Sequence, residues 1–557
     1  MTKILFALFF LLSVNHFSQV TVDNNSLSFP QLIVGNSDSI SIYIKNQTSA
    51  NVGITLSSLK SVYKLSDTLL TINSGDSNLV WIKYKPVQNI IDKDLLIIKS
   101  PDGKTGIVID LNGSGKFGDS YDATTFNLYD AQLKTALNLL VINHTDLKYS
   151  PARDIMFMTI DNKKVNGQGA TQNTLECVYT GRLAIGYTNR TNAQDTSYNF
   201  NTEHTWPQHN FNEAEPMKSD LFHLYPTDNP ANGKRSNYPF GKVVSNITWQ
   251  SNGSKLGNNN SGQIVFEPRD IHKGDVSRSM FYFITRYPQN YGGFFTVTQE
   301  NVFREWNKFD TVGTIESARN TAIAKVQLKR NPFIDHPEFA DRIYSFSTSA
   351  VRPVTALIDV LPQIVDFDST KIGVVSNKEI YIADLGSGQL IIDSISISDK
   401  RFSLNSFLNT VNPFSYQKVM LQFTPDSIKT YNAFLTVYSK SGNKKVTISG
   451  TGKDNTVAVE DESIQPAAFV LKQNYPNPFN PATTIEYSIP ESAEVTISIY
   501  SALGELVTTL VNGHVEAGNH QITFNGTDIT SGVYFYQLKA TGAGNNYFDA
   551  KKMVIIK

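Results

Sequence analysis

An internal repeat constrains the fold of this chain more than any other feature, because it predicts the same architecture at two places. Residues 27–46 and residues 365–384 each contain an aromatic strand, a glycine turn and a strand of alternating apolar and polar side chains. Each repeat continues into VWIKYKP or VMLQFTP and closes on a strand that ends in Gly-x-Gly-Lys. Alternation places apolar side chains on one face of a strand, so this pattern predicts a β-sandwich in each repeat.

The shared order of these three motifs resembles that of bacterial immunoglobulin-like modules of the ASPM/hydin type. The resemblance predicts immunoglobulin-like β-sandwiches at residues 20–116 and 351–453, each built from several short strands. Modules of this kind are more often spacers or adhesive units than catalysts. We therefore expect the chemistry of the protein to lie outside them.

The first residues, MTKILFALFFLLSVNHFSQ, combine a cation at Lys3 with an apolar run of 11 residues from Ile4 to Val14. A membrane-spanning helix needs about 20 residues, whereas a secretory signal peptide needs an apolar run of this shorter kind. We predict a signal peptide over residues 1–19 and a mature protein without an integral membrane segment. Because Cys177 is the single cysteine, the exported chain has no disulfide framework.

The C-terminal residues 467–557 form another separate segment, preceded by a predicted acidic linker over residues 454–466. The segment opens with NYPNPFNP, whose prolines exclude a helix or an inner strand, and continues with VTISIYSALGELV and SGVYFYQLKA. These strings and the lysine-rich end resemble the C-terminal sorting domain of the type IX secretion system. The resemblance implies a small β-sandwich, the type IX secretion machinery as partner, and a secreted or cell-surface protein.

In the middle region, residues 117–350, apolar side chains have helical spacing over residues 124–141. Residues 277–288 are predicted to form a buried helix. The chemistry of the middle region is concentrated in FNTEHTWPQHNF and in DLFHLYPTDNPANGKRSN. The first string places Glu203 beside His204, and these two can share a pocket only where the backbone bends locally. In the second, Asp228 and Pro230 predict the start of a short helix that carries Asn232 in its first turns. Carboxylate and amide oxygens suit Mg²⁺ or Ca²⁺ rather than zinc.

These two strings resemble the endonuclease I family of secreted nucleases, which carry a ββα-metal, or His-Me, finger. Further matching strings occur through the region, including YSPARDIMFMTIDN, ECVYTGR, FEPRDIHKGDVSRSMFYFITRYP and EWNKFDTVGTIESARN. The predicted fold class is therefore multidomain. A mixed α+β His-Me finger core lies between two immunoglobulin-like β-sandwich modules, and a small β-sandwich follows at the C-terminal end.

The resemblance also implies roles for single residues. His204 is the general base of phosphodiester hydrolysis, and Glu203 and Asn232 hold one divalent ion, Mg²⁺ with Ca²⁺ or Mn²⁺ as alternatives. Arg235 and Arg278 are the candidates for phosphate contact. The products would carry a 5′-phosphate. Some family members place an arginine between the two strings, whereas residues 212–220 here have Lys218 as their one cation.

The net charge of −1 gives no sign of steering by bulk charge, so a metal and local cations would supply the field at the site. The predicted substrate is DNA, with RNA as a second candidate, cleaved without strong sequence specificity because phosphates carry no sequence information. We expect a monomer. One alternative is a catalytically inactive surface binding or adhesion protein with a nuclease-like core, and another is a hydrolase of a different phosphodiester.

Other residues of the middle region fit structural roles better. Asp275 and Arg278 have the i,i+3 spacing of an ion pair within a helix. Trp206 fits core packing, and Cys177 fits a small buried side chain rather than a nucleophile.

Overall fold

The computed structural model describes residues 19–454, 468–542 and 546–556. The chain divides into two compact units between Lys453 and Asp454. The predicted signal peptide, apart from Gln19, and the predicted linker beyond Asp454 lie outside the described residues. Among the helices of the described residues, none is both long enough and apolar enough to cross a membrane.

The first repeat folds into two β-sheets that share one apolar core. Its strands are β1 (Val20–Val22), β2 (Ser26–Ile33), β3 (Asp38–Asn46), β4 (Val52–Ser57), β5 (Tyr63–Leu65), β6 (Leu69–Ile72), β7 (Ser77–Tyr84), β8 (Ile91–Lys99) and β9 (Gly106–Lys116). They form one sheet in the order β1-β3-β7-β5 and another in the order β2-β9-β8-β4-β6. Ile42, Ile82 and Leu111 are among the buried side chains that both sheets contribute to the core.

The middle region contains most of the helices and has a single large core. Its helices are α1 (Asp122–Thr125), α2 (Asp130–Val141), α3 (Tyr149–Ile155), α4 (Arg190–Gln194), α5 (Asn229–Arg235), α6 (Lys273–Arg286), α7 (Val297–Phe309), α8 (Thr314–Gln327), α9 (Pro332–Asp335) and α10 (Phe339–Arg342). Its strands are β10 (Thr174–Glu176), β11 (Leu183–Ile185), β12 (Phe200–His204), β13 (Leu224–Asp228), β14 (Ser245–Ser251), β15 (Ser254–Asn258) and β16 (Ile264–Glu267). Helix α6 packs against α2, α7 and α9, and almost all of its side chains are buried.

Two sequence predictions meet this region. The buried helix predicted over 277–288 is confirmed by α6, which ends before Pro288. The helical spacing over 124–141 corresponds to two helices, α1 and α2, rather than one. The chain turns between them, where Asn127 has a φ of 56° and Asp130 a φ of 47°, which no continuous right-handed helix allows.

The second repeat has the same strand order as the first. Its strands are β17 (Ile358–Leu361), β18 (Ile364–Lys371), β19 (Ser376–Asp384), β20 (Leu390–Ile397), β21 (Phe402–Leu404), β22 (Thr410–Val411), β23 (Ser415–Phe423), β24 (Thr430–Ser439) and β25 (Lys444–Lys453). They form sheets in the orders β17-β19-β23-β21 and β18-β25-β24-β20-β22. In both repeats the opening and closing strands pair in parallel, β2 with β9 and β18 with β25. The chain is thus multidomain, with β-sheet modules on either side of a helical middle region; the immunoglobulin-like class of the modules stays a prediction.

The Gly-x-Gly motif that closes each repeat has a steric cause. A Cβ on Gly113 would lie 2.6 Å from the ring of Tyr84, and a Cβ on Gly450 would lie 2.5 Å from the ring of Phe423. The second glycine of each motif would likewise collide with a backbone carbonyl of the turn after the proline. Only glycine permits this approach of ring and turn to the closing strand, which explains why both repeats carry the motif.

The two β-modules pack against each other through a small apolar interface. Its buried residues are Leu95, Ile97 and Val108 of the first module and Leu361, Tyr381 and Ala383 of the second. An ion pair of 2.7 Å between Lys99 and Asp359 borders the apolar residues. The five-stranded sheet of the first module therefore faces the four-stranded sheet of the second.

The C-terminal unit is a separate β structure. Its strands are β26 (Val470–Leu471), β27 (Ala482–Ile489), β28 (Ala493–Ser501), β29 (Leu506–Val515), β30 (Gly518–Asn525), β31 (Gly532–Thr541) and β32 (Asn546–Ile555). They form sheets in the orders β26-β27-β30 and β29-β28-β31-β32 around one core. The proline-rich run contributes only isolated bridges, from Tyr475 to Thr484 and from Phe479 to Ile555, as its missing N–H groups require.

Candidate functional site

A β-hairpin followed directly by a short helix holds four of the five predicted site residues: Glu203, His204, Asn232 and Arg235. Strands β12 and β13 pair antiparallel, with Glu203 opposite Tyr225 and His204 opposite Leu224. Helix α5 follows β13 without a gap and packs against both strands. The Asp228 carboxylate accepts a hydrogen bond of 2.8 Å from the Ala231 N–H, and a proline lies in the first turn. The predicted helix start is thus confirmed.

Glu203 is a buried carboxylate that faces one cation. It is only 2% exposed, and its Oε1 lies 2.9 Å from Nε of Arg235. Burial raises the pKa of Glu203, and the charge of Arg235 opposes that shift. Burial and the neighbouring Glu203 also raise the pKa of Tyr179 far above its usual value. The Tyr179 side chain is therefore a neutral phenol beside this ion pair.

The two terminal nitrogens of Arg235 donate hydrogen bonds to carbonyl groups, and its Nε forms an ion pair with Glu203 but no aligned hydrogen bond. Its Nη2 donates to the Thr205 carbonyl at 2.7 Å, and its Nη1 donates to the Ser236 carbonyl at 2.8 Å. The guanidinium carbon lies 4.4 Å from the ring centroid of Phe240, and the side chain is fully buried. Arg235 therefore ties the end of α5 to the end of β12, where Glu203 lies.

His204 is held through one ring nitrogen. Its Nε2 lies 3.2 Å from the carbonyl oxygen of Lys218. A carbonyl can only accept, so Nε2 carries the hydrogen and the lone pair of the neutral ring is on Nδ1. Burial lowers the pKa of His204 well below 6.5, and the nearby His223 adds to that shift. The imidazole is thus a neutral base at physiological pH.

Glu203 and His204 have different neighbours. The ladder of β12 is regular from Phe200 to His204, so the local bend that would turn both side chains into one pocket is not within this strand. Glu203 contacts Arg235, whereas His204 contacts the Lys218 carbonyl and packs 5.5 Å from the ring of Tyr149. The two side chains therefore have separate contacts at the end of the strand.

The sequence predicted Asn232 and Glu203 as the oxygen donors of a metal site, and this stays a prediction. Asn232 is half-buried on α5, and its amide makes no hydrogen bond within the part of the chain that the structure describes. A buried carboxylate and an unengaged amide oxygen fit a hard divalent cation with water completing its shell. Over the same residues, no group of three or more histidine, cysteine, aspartate or glutamate side chains is placed to hold an ion.

Arg278 lies elsewhere, in a buried ionic network around α6. Its Nε and Nη2 donate to the two carboxylate oxygens of Glu316 at 2.7 and 2.6 Å. Its Nη1 donates to Asn307 at 3.1 Å and to the Asp310 carbonyl at 2.9 Å. Asp275 Oδ1 is 3.8 Å away, so the expected i,i+3 pair is present as a secondary contact. The structure does not bring Arg278 into contact with Glu203, His204 or Asn232, and its phosphate role stays a prediction.

The structure brings a different arginine to His204. The Arg153 guanidinium lies 4.1 Å from the ring centroid of Tyr149, and Lys218 Nζ lies 4.7 Å from the same centroid. Lys218 is paired with Glu213, but Arg153 has no carboxylate within 4 Å among the described residues, and its buried Nε has no hydrogen-bond partner. Nothing in the sequence separates Arg153 from Arg190, which forms an ion pair with Asp154. The distinction is a tertiary one.

Comparison with known proteins supplies relatives for these regions. Residues 130–338 match the Endonuclease I family, and residues 473–556 match the Secretion system C-terminal sorting domain. The extracellular ribonuclease of Bacillus amyloliquefaciens is 32% identical over 228 residues, 38% of this chain and 73% of that protein. The Bacillus subtilis (strain 168) extracellular ribonuclease is 31% identical over 251 residues, 41% of this chain and 76% of that protein. Endonuclease-1 of Buchnera aphidicola is 31% identical over 129 residues, 23% of this chain and 49% of that protein.

These matches and the fold define a multidomain secreted or cell-surface protein with a nuclease region and a sorting domain at its C-terminal end. The chain belongs to the Endonuclease I family. Both family resemblances at the nuclease region and the sorting domain are thereby confirmed.

Proposed function

We propose that this chain is an exported endonuclease that hydrolyses phosphodiester bonds of DNA and RNA in a His-Me finger core formed by β12, β13 and α5. His204 is the general base, and Glu203 and Asn232 hold one divalent cation, Mg²⁺ in the first instance. Relatives named ribonuclease, endonuclease and deoxyribonuclease support a phosphodiester substrate of either sugar type. The single observation that carries the mechanism is the hydrogen bond that fixes the His204 ring.

With Nε2 donating to the Lys218 carbonyl, Nδ1 is free to take a proton from water. The resulting hydroxide oxygen forms a bond to phosphorus, and the bond from phosphorus to the 3′-oxygen breaks. The 3′-oxygen takes a proton from solvent and leaves as a hydroxyl, while the new phosphate monoester stays on the 5′-carbon. Because the His204 pKa is depressed, the unprotonated form needed for this step is the dominant one at neutral pH.

The proposed cation site uses side-chain oxygen atoms that Arg235 does not contact. Arg235 engages Oε1 of Glu203 and fixes the carboxylate, so we assign the second carboxylate oxygen and the Asn232 amide oxygen to the cation. A bound divalent ion would polarise a phosphoryl oxygen and offset the charge that develops on the leaving oxygen. In this division of work Glu203 holds the cation on the phosphate, and His204 activates the water that attacks the same phosphate.

We assign the phosphate contact to Arg153 rather than to the two arginines expected from the sequence. Arg235 and Arg278 are buried and already paired with Glu203 and Glu316. Arg153 is half-buried beside the His204 side of the hairpin and has no carboxylate of its own in the described residues. A guanidinium without a counterion, stacked on Tyr149, is suited to a phosphate oxygen.

Plasmid DNA and a structured RNA, each incubated with the purified full chain with and without EDTA, test the proposal. We expect cleavage of both with Mg²⁺, loss of cleavage with EDTA, and a fall of at least about a hundredfold for His204→Ala. His209→Ala is the matched control, because His209 lies in the same string but makes no contact with the site. Undiminished cleavage by His204→Ala would remove the assigned mechanism.

The same preparation separates the alternatives. A protein that shifts DNA in a gel but cleaves neither polymer under any divalent ion would be the inactive surface-binding protein. Cleavage of a lipid headgroup diester, with both nucleic acids left intact, would identify a different phosphodiesterase. End-labelling of the products with polynucleotide kinase, before and after phosphatase, checks the expected 5′-phosphate.

A further inference from the structure

The first β-module carries an exposed aromatic face on its four-stranded sheet. Tyr43 on β3 lies directly opposite Leu79 on β7, and Trp81 lies two pairs further along, opposite Ser41. These three large side chains are 53%, 38% and 48% exposed, respectively. We call this surface the Trp81 face. Its neighbours along each strand, such as Ile42 and Ile82, point into the core, so the exposed rings are not part of the packing of the module.

Lysines lie at both ends of the Trp81 face, and the Asp23 carboxylate accepts a hydrogen bond of 3.0 Å from the Tyr43 N–H at one edge. Lys64 on β5 lies directly opposite Lys83 on β7, and Lys45 lies at the other end of the same face on β3. All three are exposed, and within residues 19–454, 468–542 and 546–556 none has a carboxylate within 4 Å. Like charges directly opposite each other destabilise a sheet. An anion bound between Lys64 and Lys83 would remove that cost.

The corresponding face of the second module carries different side chains. The same strand order places Tyr381 where the first module has Tyr43, Met420 where it has Trp81, and Gln422 where it has Lys83. In the second module this face is an interface, since Tyr381 is buried against the first module. The first module therefore carries an indole and a lysine at positions where the packed copy of the face has a thioether and an amide.

We propose that the Trp81 face binds single-stranded nucleic acid, with bases stacked on Trp81 and Tyr43 and phosphates on Lys64 and Lys83. Flat rings accept any base, and lysines beside them track the backbone, which is the usual design of sequence-tolerant single-strand binding. The face belongs to the same compact unit as the nuclease region. The Trp81 face thus binds the polymer that the nuclease site cleaves. This choice of ligand rests on the proposed function.

Binding is measured on the full chain carrying His204→Ala, in EDTA, so that a fluorescein-labelled 20-nucleotide oligo-dT stays intact. Fluorescence anisotropy should show at least about tenfold weaker binding for the Tyr43→Ala/Trp81→Ala double variant. Lys64→Glu/Lys83→Glu should weaken binding and reduce the slope of log affinity against log salt by about 1.4. Phe434→Ala is the matched control, because Phe434 is 43% exposed on a sheet of the second module, and it should leave affinity within about twofold.

Tryptophan fluorescence gives a second readout that does not depend on affinity. Of the four tryptophans, Trp206 and Trp306 are buried, Trp249 is half-buried and Trp81 is exposed, so base stacking should quench emission more in the parent chain than in Trp81→Phe. Equal affinity in all variants, or quenching that is undiminished in Trp81→Phe, would overturn the proposal. So would a dimer that Trp81→Ala disperses while oligonucleotide affinity is unchanged, because the occupant is then a second copy. If the face variants lose binding but the parent chain cleaves no nucleic acid, the proposed nuclease function fails and this inference stands.

Discussion

Nε of Arg235 lies 2.9 Å from Oε1 of Glu203, and both side chains are almost wholly removed from solvent. A buried ion pair is costly to form but costlier to break, because removal of one partner leaves an unpaired charge in a low-dielectric interior. The guanidinium of Arg235 also donates to the carbonyls of Thr205 and Ser236. Arg235 is therefore a positioning residue, which sets where the Glu203 carboxylate can lie.

The first prediction concerns this pair. Arg235→Met should lower the free energy of unfolding by about 3–5 kcal/mol, whereas Glu203→Gln/Arg235→Met should recover part of that loss. Urea unfolding followed by circular dichroism measures both. Arg182→Met is the matched control, since Arg182 is 41% exposed at 3.5 Å from Asp228 and should cost less than about 1 kcal/mol. Additive effects in the double variant would mean that the two groups are not coupled.

The second prediction concerns the pH dependence of cleavage. Burial holds the pKa of His204 well below 6.5, and the proposed mechanism uses the unprotonated ring. As pH falls, kcat/KM should therefore stay constant through 6.5 and decline only at lower pH. A pH–rate profile at saturating Mg²⁺ measures this acid limb. A decline centred at or above 6.5 would contradict the assignment of His204 as the buried base.

Features that depend on residues close together in the chain could be predicted from the sequence, whereas features that depend on tertiary contacts could not. The helix start at Asp228 follows from residue types within three positions, so it could be predicted and is found. The repeat also predicted two modules of equal topology, because the closing glycines and the ring at Tyr84 or Phe423 form one steric unit. Such features are set by neighbours in the chain or by a pattern that recurs.

The arginines show why the remainder could not be predicted. Arg235, Arg278 and Arg153 all lie in strings that match one family pattern, yet two have buried carboxylate partners more than thirty positions away in the chain. Whether an arginine is neutralised depends on which carboxylate the fold brings to it. The sequence predicted Arg235 and Arg278 as phosphate contacts and passed over Arg153, because pairing at that distance has no local signature.

The third prediction uses the stability of a buried histidine. Burial lowers the pKa of His223 to about 4, against the opposing charge of Asp220. Above pH 6.5 neither folded nor unfolded chain protonates this ring. As pH falls from 6.5 towards 4, His223 binds a proton in the unfolded chain but not in the folded chain, so the free energy of unfolding decreases. His223→Gln removes this loss, and the difference between the two proteins should change by about 3 kcal/mol over that window.

Urea unfolding of the two proteins at several pH values measures this difference, in which the titrating groups that do not interact with His223 cancel. The free energy of unfolding of the parent chain should fall relative to that of His223→Gln as the pH decreases. Below pH 4 the difference between the two proteins should be constant. A difference that does not vary between pH 6.5 and 4 would show that the His223 ring is accessible to protons in the folded state.

The fourth prediction concerns the cation. A ligand that binds only the folded chain raises its stability with concentration, so Mg²⁺ should raise the melting temperature of the parent chain. Asn232→Ala and Glu203→Gln should each require at least about tenfold more Mg²⁺ for the same rise. Asn229→Ala, at the first position of α5, serves as the control. An equal Mg²⁺ dependence in all four proteins would exclude this cation site without reference to activity.

The fifth prediction concerns Arg153, the cation near His204. Arg153 stacks on Tyr149, which packs 5.5 Å from His204, and the described residues offer Arg153 no carboxylate. If it contacts the phosphate only as charge develops, Arg153→Met should lower kcat by about a hundredfold or more and change KM little. Arg153→Lys should restore part of the rate, since it keeps the charge without the fork. Arg190→Met, which loses an arginine already paired with Asp154, should stay within about threefold of the parent. A pure KM effect in Arg153→Met would assign this residue to strand binding rather than to the transition state.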